Sequence, residues 1–166
     1  MSNAKANNGA ASILSDEEYN AEIKIAAVRR WVKCLCCDDH VRAKLVLGSV
    51  AAPHIPRLAD KLYFLCRECR NFVGCWHNKD DMYIPIGTIP TKEVQAEREI
   101  IYQKIQSLVD AGHYKRTTLY TLLSKKCGWR DKFGVAKINS VMQAKNIIKI
   151  LDKISDEIAE KSSDLI

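Results

Sequence analysis

Two short cysteine pairs, Cys34-Leu-Cys-Cys37 and Cys66-Arg-Glu-Cys69, carry the most specific chemistry in the chain. Each Cys-x-x-Cys wraps two thiolates around one ion, and two such knuckles complete a tetrahedral set of soft ligands. That is the donor set of a structural Zn²⁺ site, with Cys34, Cys37, Cys66 and Cys69 as its ligands. Four protein ligands leave no open position for an activated water, so the metal is expected to hold the fold rather than do chemistry. Seven cysteines cannot all pair within one chain, and the amino terminus has no apolar signal segment. Both points favour metal ligation over disulfides and an expected cytoplasmic location.

Other sulfur and imidazole groups lie nearby. Cys36, His40, Cys75 and His77 are alternative metal ligands, for this ion or a second one. The plainer reading makes them small buried thiols and surface imidazoles. A thiol enzyme would use Cys75 with His77 as its base. A metal-dependent nuclease would need convergent carboxylates, of which Asp80 and Asp81 beside His77 are the one suggestion. Both catalytic readings stay open behind a non-enzymatic one.

Charge supplies the second functional signal. The formal net charge is +6, and residues 1–110 contribute 15 Lys and Arg against 14 Asp and Glu. Residues 111–153 carry 10 basic residues and 2 acidic ones, while 154–166 carry one Lys and four acids. A positive field concentrated in one stretch suits a polyanionic partner. The candidate nucleic-acid surface comprises Lys115, Arg116, Lys125, Lys126, Trp129, Arg130, Lys132, Lys145 and Lys149. Lys145, Lys149 and Lys153 share one helix face, and Trp129 either stacks on a base or anchors the core. The ligand would be DNA or RNA. In the alternative reading the same basic face belongs to a protein-interaction module that docks on a host nucleic-acid enzyme or defence complex. No apolar run approaches the roughly 20 residues of a membrane span. The oligomeric state is left open.

The elements that must position these groups follow from periodicity and punctuation. Residues 1–14 are expected to be a flexible lead-in. Ser15 with Glu18 reads as a capping box, helped by Asp16 and Glu17, and Tyr19, Ile23, Ala27 and Trp31 recur as the stripe of a helix entering the first knuckle. Val41–Leu47, Lys61–Leu65, Phe72–Trp76 and Met82–Ile86 read as strands. After Pro90 the pattern turns helical. A long helix capped by Thr91 carries Val94, Ile101, Ile105, Leu108 and Val109; a second spans Thr117–Cys127, and a third runs from Lys137 to about Glu160. The expected fold is α+β. A small zinc-ribbon-like β unit with a preceding helix (residues 15–90) is followed by a three-helix half (residues 91–166) packed on it as one compact domain.

From Tyr63 onward the chain resembles the zinc-finger-containing domain family of unknown function found in bacteria and phages. The resemblance rests on Tyr63-Phe64-Leu65 running into Cys66-Arg-Glu-Cys69, on Phe72-Val73-Gly74-Cys75-Trp76-His77, and on the Ile86-Gly87-Thr88 turn that opens a long helix. The helix Arg116-Thr-Thr-Leu-Tyr120-Thr-Leu-Leu123 is similar as well. The likeness covers roughly residues 34–150, with Trp76 inserted between Cys75 and His77 as a departure. It implies zinc and a bacterial or phage setting, and supplies no activity.

Overall fold

Residues 24–80 and 82–163 are described by a computed structural model. The expected lead-in, the capping box of Ser15 and Glu18, and the stripe residues Tyr19 and Ile23 lie outside the described residues, as does Asp81.

Alternating apolar residues build five strands: β1 (Arg29–Cys34), β2 (Asp39–Leu47), β3 (Leu62–Leu65), β4 (Phe72–His77) and β5 (Tyr83–Pro85). Each pairs antiparallel with the next in chain order. Val32, Cys34, Ala43, Leu45, Phe64 and Val73 project to one side of this sheet and are buried. A short helix, α1 (Gly48–Ala51), and a 3-10 turn at Pro56–Leu58 link β2 to β3. Beyond β5 the chain returns to the first strand. Ile89 forms a parallel bridge with Cys34, Leu35 N–H donates to Ile89 O at 2.8 Å, and Ile89 N–H donates to Lys33 O at 2.9 Å. Arg30 Nε donates to Tyr83 O at 3.1 Å, so the sheet curls until its first and last edges meet.

Three helices follow: α2 (Lys92–Asp110), α3 (Arg116–Lys126) and α4 (Val141–Ser163). The Thr91 hydroxyl accepts from Val94 N–H at 3.2 Å and caps α2. Ile101, Ile105 and Leu108 of α2 meet Leu119 and Leu123 of α3 and Ala144, Ile147, Leu151 and Ile154 of α4 in a continuous apolar core. Phe133 and Ile138 from the connecting segment complete it.

Two expectations are corrected. Trp31 lies in β1, not on a helix: the helical residues described there end at 27, and the Arg29–Lys44 register of β1 on β2 turns the indole away from the core, 69% exposed. The last helix begins at Val141, not at Lys137. Val135–Lys137 forms a 3-10 turn, Ile138 is extended and buried, and the Ser140 hydroxyl accepts from Gln143 N–H at 3.1 Å to start the helix.

The two halves are joined at Arg98, which occupies an apolar-stripe position of α2 and is only 4% exposed. Its guanidinium donates to Ile138 O (3.0 and 2.6 Å), Thr88 O (3.0 Å) and Thr88 Oγ1 (2.8 Å). Carbonyl dipoles rather than a carboxylate meet the charge, and burial lowers its pKa to about 10, so it remains protonated at neutral pH. Gly87 completes the junction: a Cβ there would sit 2.0 Å from Ala136 O, so only glycine allows the approach.

Candidate metal centre and charged surfaces

The first cysteine pair leaves the end of β1 and the second leaves the end of β3. Because β1 and β3 both pair with β2, the register brings the two knuckles to the same end of the sheet. Each knuckle must reverse within two residues. The residue after its second cysteine therefore takes a left-handed conformation, Asp38 at φ 50° and Arg70 at φ 64°. Arg70 N–H donates to Cys66 O at 3.1 Å and closes the second turn. Asn71 Nδ2 donates to Pro90 O at 2.9 Å, tying that turn to the start of α2.

The sulfur atoms of Cys34, Cys37, Cys66 and Cys69 all lie within 4.8 Å of one another. The Cys34–Cys69 and Cys37–Cys66 separations are 3.5 and 3.7 Å. A tetrahedral Zn–S₄ site with bonds of about 2.3 Å places its sulfurs about 3.8 Å apart, so the cluster has the size of that ion's shell. Cys34 and Cys66 are fully buried, and Cys37 and Cys69 are half-buried. Without a cation, burial pushes the Cys34, Cys37 and Cys69 thiols above their ordinary value. Neighbouring thiols add to that rise at Cys37. Burial pushes Cys66 up too, but the N–H groups of Cys69 and Glu68 and the thiols of Cys69 and Cys37 outweigh it, and the net shift is downward. Four thiols packed this closely are electrostatically frustrated as thiolates until a cation joins them.

Among the described residues no other group of His, Cys, Asp and Glu forms such a cluster. Cys36 is exposed, and His40 is exposed on β2. Cys75 is half-buried on β4, its Sγ 3.6 Å from Trp76 O, with its thiol raised by burial. His77 stacks on Tyr83 with ring centroids 4.4 Å apart.

The basic residues of the helical half are mostly exposed: Lys115 at the start of α3, Lys125 and Lys126 at its end, Arg130 and Lys132 in the following loop, and Lys145 and Lys149 on α4. Arg116 is held, its guanidinium 5.5 Å above the Tyr102 ring and hydrogen-bonded to Gln106. Asp152 of α4 pairs with Lys104 at 2.6 Å, and among the described residues no carboxylate is paired with Lys149. Trp129 is half-buried, its ring 5.0 Å from Phe133, which itself packs in the core.

The sequence reading passed over Arg98 and the cations of β1 and β2. Arg98 had one available signal, a cation at the position of an apolar stripe. The strand cations had none, because their grouping depends on register.

The curled sheet and the four-thiol cluster at its end define a zinc-finger class of protein. The chain belongs to the zinc-finger-containing domain family, whose model matches residues 31–154. Comparison with curated proteins and with solved structures finds no match.

Proposed function

We propose that this protein is a non-enzymatic module that binds nucleic acid, DNA or RNA, through the basic surface of its helical half, with Zn²⁺ at Cys34, Cys37, Cys66 and Cys69 holding the sheet. The observation that carries the reading is the exposure of Lys115, Lys125, Lys126, Arg130, Lys132, Lys145 and Lys149 within a stretch of 10 basic and 2 acidic residues. One of those two acids, Asp152, is already paired with Lys104. Exposed lysines without carboxylate partners release counterions from a phosphate backbone at little desolvation cost, which favours binding at low salt. The bound ion would supply a fixed tetrahedral crosslink between the two knuckles. With all four positions taken by sulfur it would have no site for a substrate or a water, which supports a structural role.

The test is a fluorescence titration of the zinc-loaded protein with single- and double-stranded DNA and RNA at several salt concentrations. It runs beside a Lys125→Glu/Lys126→Glu/Arg130→Glu/Lys132→Glu variant. Tight binding with a steep salt slope, lost in the variant, supports the proposal. Weak binding that is indifferent to the charge reversal overturns it and favours an acidic protein partner for the same face.

A further inference from the structure

The outer side of β1 and β2 gathers charges that are scattered in the sequence. Residues 1–110 are nearly neutral in sum, yet the strand register sorts them by sign. Arg29 lies opposite Lys44, Trp31 opposite Arg42, and Lys33 opposite His40. Partners across an antiparallel pair share a face, so these six side chains project together, away from buried Val32, Cys34, Ala43 and Leu45. Lys44 also lies opposite Leu65, one residue before the second knuckle. There a cavity of about 350 Å³ is lined by Arg29, Lys44, Val46, Val50, Leu65, Arg67 and Arg70. Among the described residues four cations and no carboxylate face it. Arg29 is held in place by donating to Ala26 O (2.6 Å) and Val28 O (3.0 Å). Of the cations on this side, Lys33 has a carboxylate partner, Asp38 at 2.8 Å. Ile25 and Val28, just before β1, pack with the inner core.

Trp31 stands in the middle of these cations, 69% exposed. An indole is large and apolar, and a chain that merely needed a soluble sheet surface would bury it or omit it. An exposed ring flanked by arginines and lysines is the composition of a stacking platform, on which any unpaired base can lie while cations hold the backbone. We infer that this outer sheet face binds single-stranded nucleic acid, with Trp31 stacking on a base and Arg42, Lys44, Arg67 and Arg70 taking phosphates. The inference rests on the nucleic-acid reading above but on different residues, and it names an unpaired strand as the ligand. A duplex presents no free base face to Trp31, so the platform discriminates against it.

The experiment titrates the full zinc-loaded chain with labelled oligo-dT, oligo-rU and a blunt-ended DNA duplex. Trp31→Ala, Trp31→Phe, Lys44→Gln/Arg67→Gln/Arg70→Gln and the helical charge-reversal variant are measured alongside. Zinc content and thermal unfolding check that each variant is folded, which the exposure of Trp31 makes the expected result. Trp31→Ala should weaken single-strand binding by roughly 5- to 150-fold, with Trp31→Phe keeping most of it and duplex binding unchanged. The triple neutralisation should lower the salt slope for single strands by about 2. Single-strand binding that is unaffected in both sheet variants but lost in the helical variant overturns this inference and leaves the proposed function standing. Loss in the sheet variants alone keeps the inference and removes the helical surface. No binding by the unmodified protein at low salt removes both.

Discussion

Among the described residues the core cluster of the helical half has eleven buried members, all apolar, whereas that of the sheet half has eight, two of which are cysteines of the thiol cluster. The helices close on one another with Leu, Ile and Phe side chains and hold themselves by burial, at about 25 cal/mol per Å² of apolar area. The sheet's cluster is the smaller, and two of its turns place non-glycine residues, Asp38 and Arg70, in left-handed conformations. An ion crosslinking the four cysteines would hold both turns at once. The two halves thus show two ways of fixing a chain, and the candidate metal site stands in the half with the smaller core cluster.

Removing the metal should separate the halves most sharply. Bound zinc contributes on the order of 10 kcal/mol to such a site. Chelation, or Cys66→Ser, should abolish cooperative unfolding of the sheet while far-UV circular dichroism keeps most of its helical signal. A core truncation in the other half is the next largest effect. Leu151→Ala removes a fully buried side chain of α4, and urea unfolding should show a loss of about 2–5 kcal/mol with zinc content unchanged.

Arg98→Met breaks the junction rather than either half. It leaves Ile138 O and Thr88 O without their donor at similar side-chain volume, a cost of about 1–3 kcal/mol. Its mark should be earlier exchange of the amides around Thr88 and Ile138.

Acid should act on the zinc-loaded sheet as chelation does. Burial raises the thiols of Cys34, Cys37 and Cys69, with Cys66 opposing part of this, so protons compete well for the folded cluster. Bound zinc needs all four as thiolates, so the sheet should lose stability as pH falls while the helical half does not. Thermal unfolding of the zinc-loaded protein from pH 5 to 10 reads the slope. The smallest effect belongs to Asp38→Asn. Asparagine tolerates the left-handed turn, the change frees Lys33, and the salt slope for single-stranded DNA should steepen by no more than about 1.

The same division governs what could be read from the sequence. Cysteine spacing is local and specific, and it pointed to the four residues that the structure brings together. The stripe of α2 and the Thr91 cap were equally legible, because a helix is written in neighbours three and four residues apart. Trp31 was misplaced because Tyr19, Ile23, Ala27 and Trp31 satisfy a helical period, and nothing local reveals that pairing with β2 takes over at Arg29. The third helix was begun too early for a related reason. Ile138 fits a helical stripe, yet its carbonyl is claimed by Arg98, forty residues away in sequence. The basic outer face was invisible to charge counting, since Arg29, Lys44, Arg67 and Arg70 become neighbours only through strand register.

Amide hydrogen exchange of the zinc-loaded and the chelated protein, followed residue by residue, tests the division between the halves most directly. Chelation is expected to remove protection from β1 to β4 while Ile101, Ile105, Leu119, Leu123 and Leu151 remain protected. Protection lost together in both halves, or retained in the sheet without metal, would contradict it.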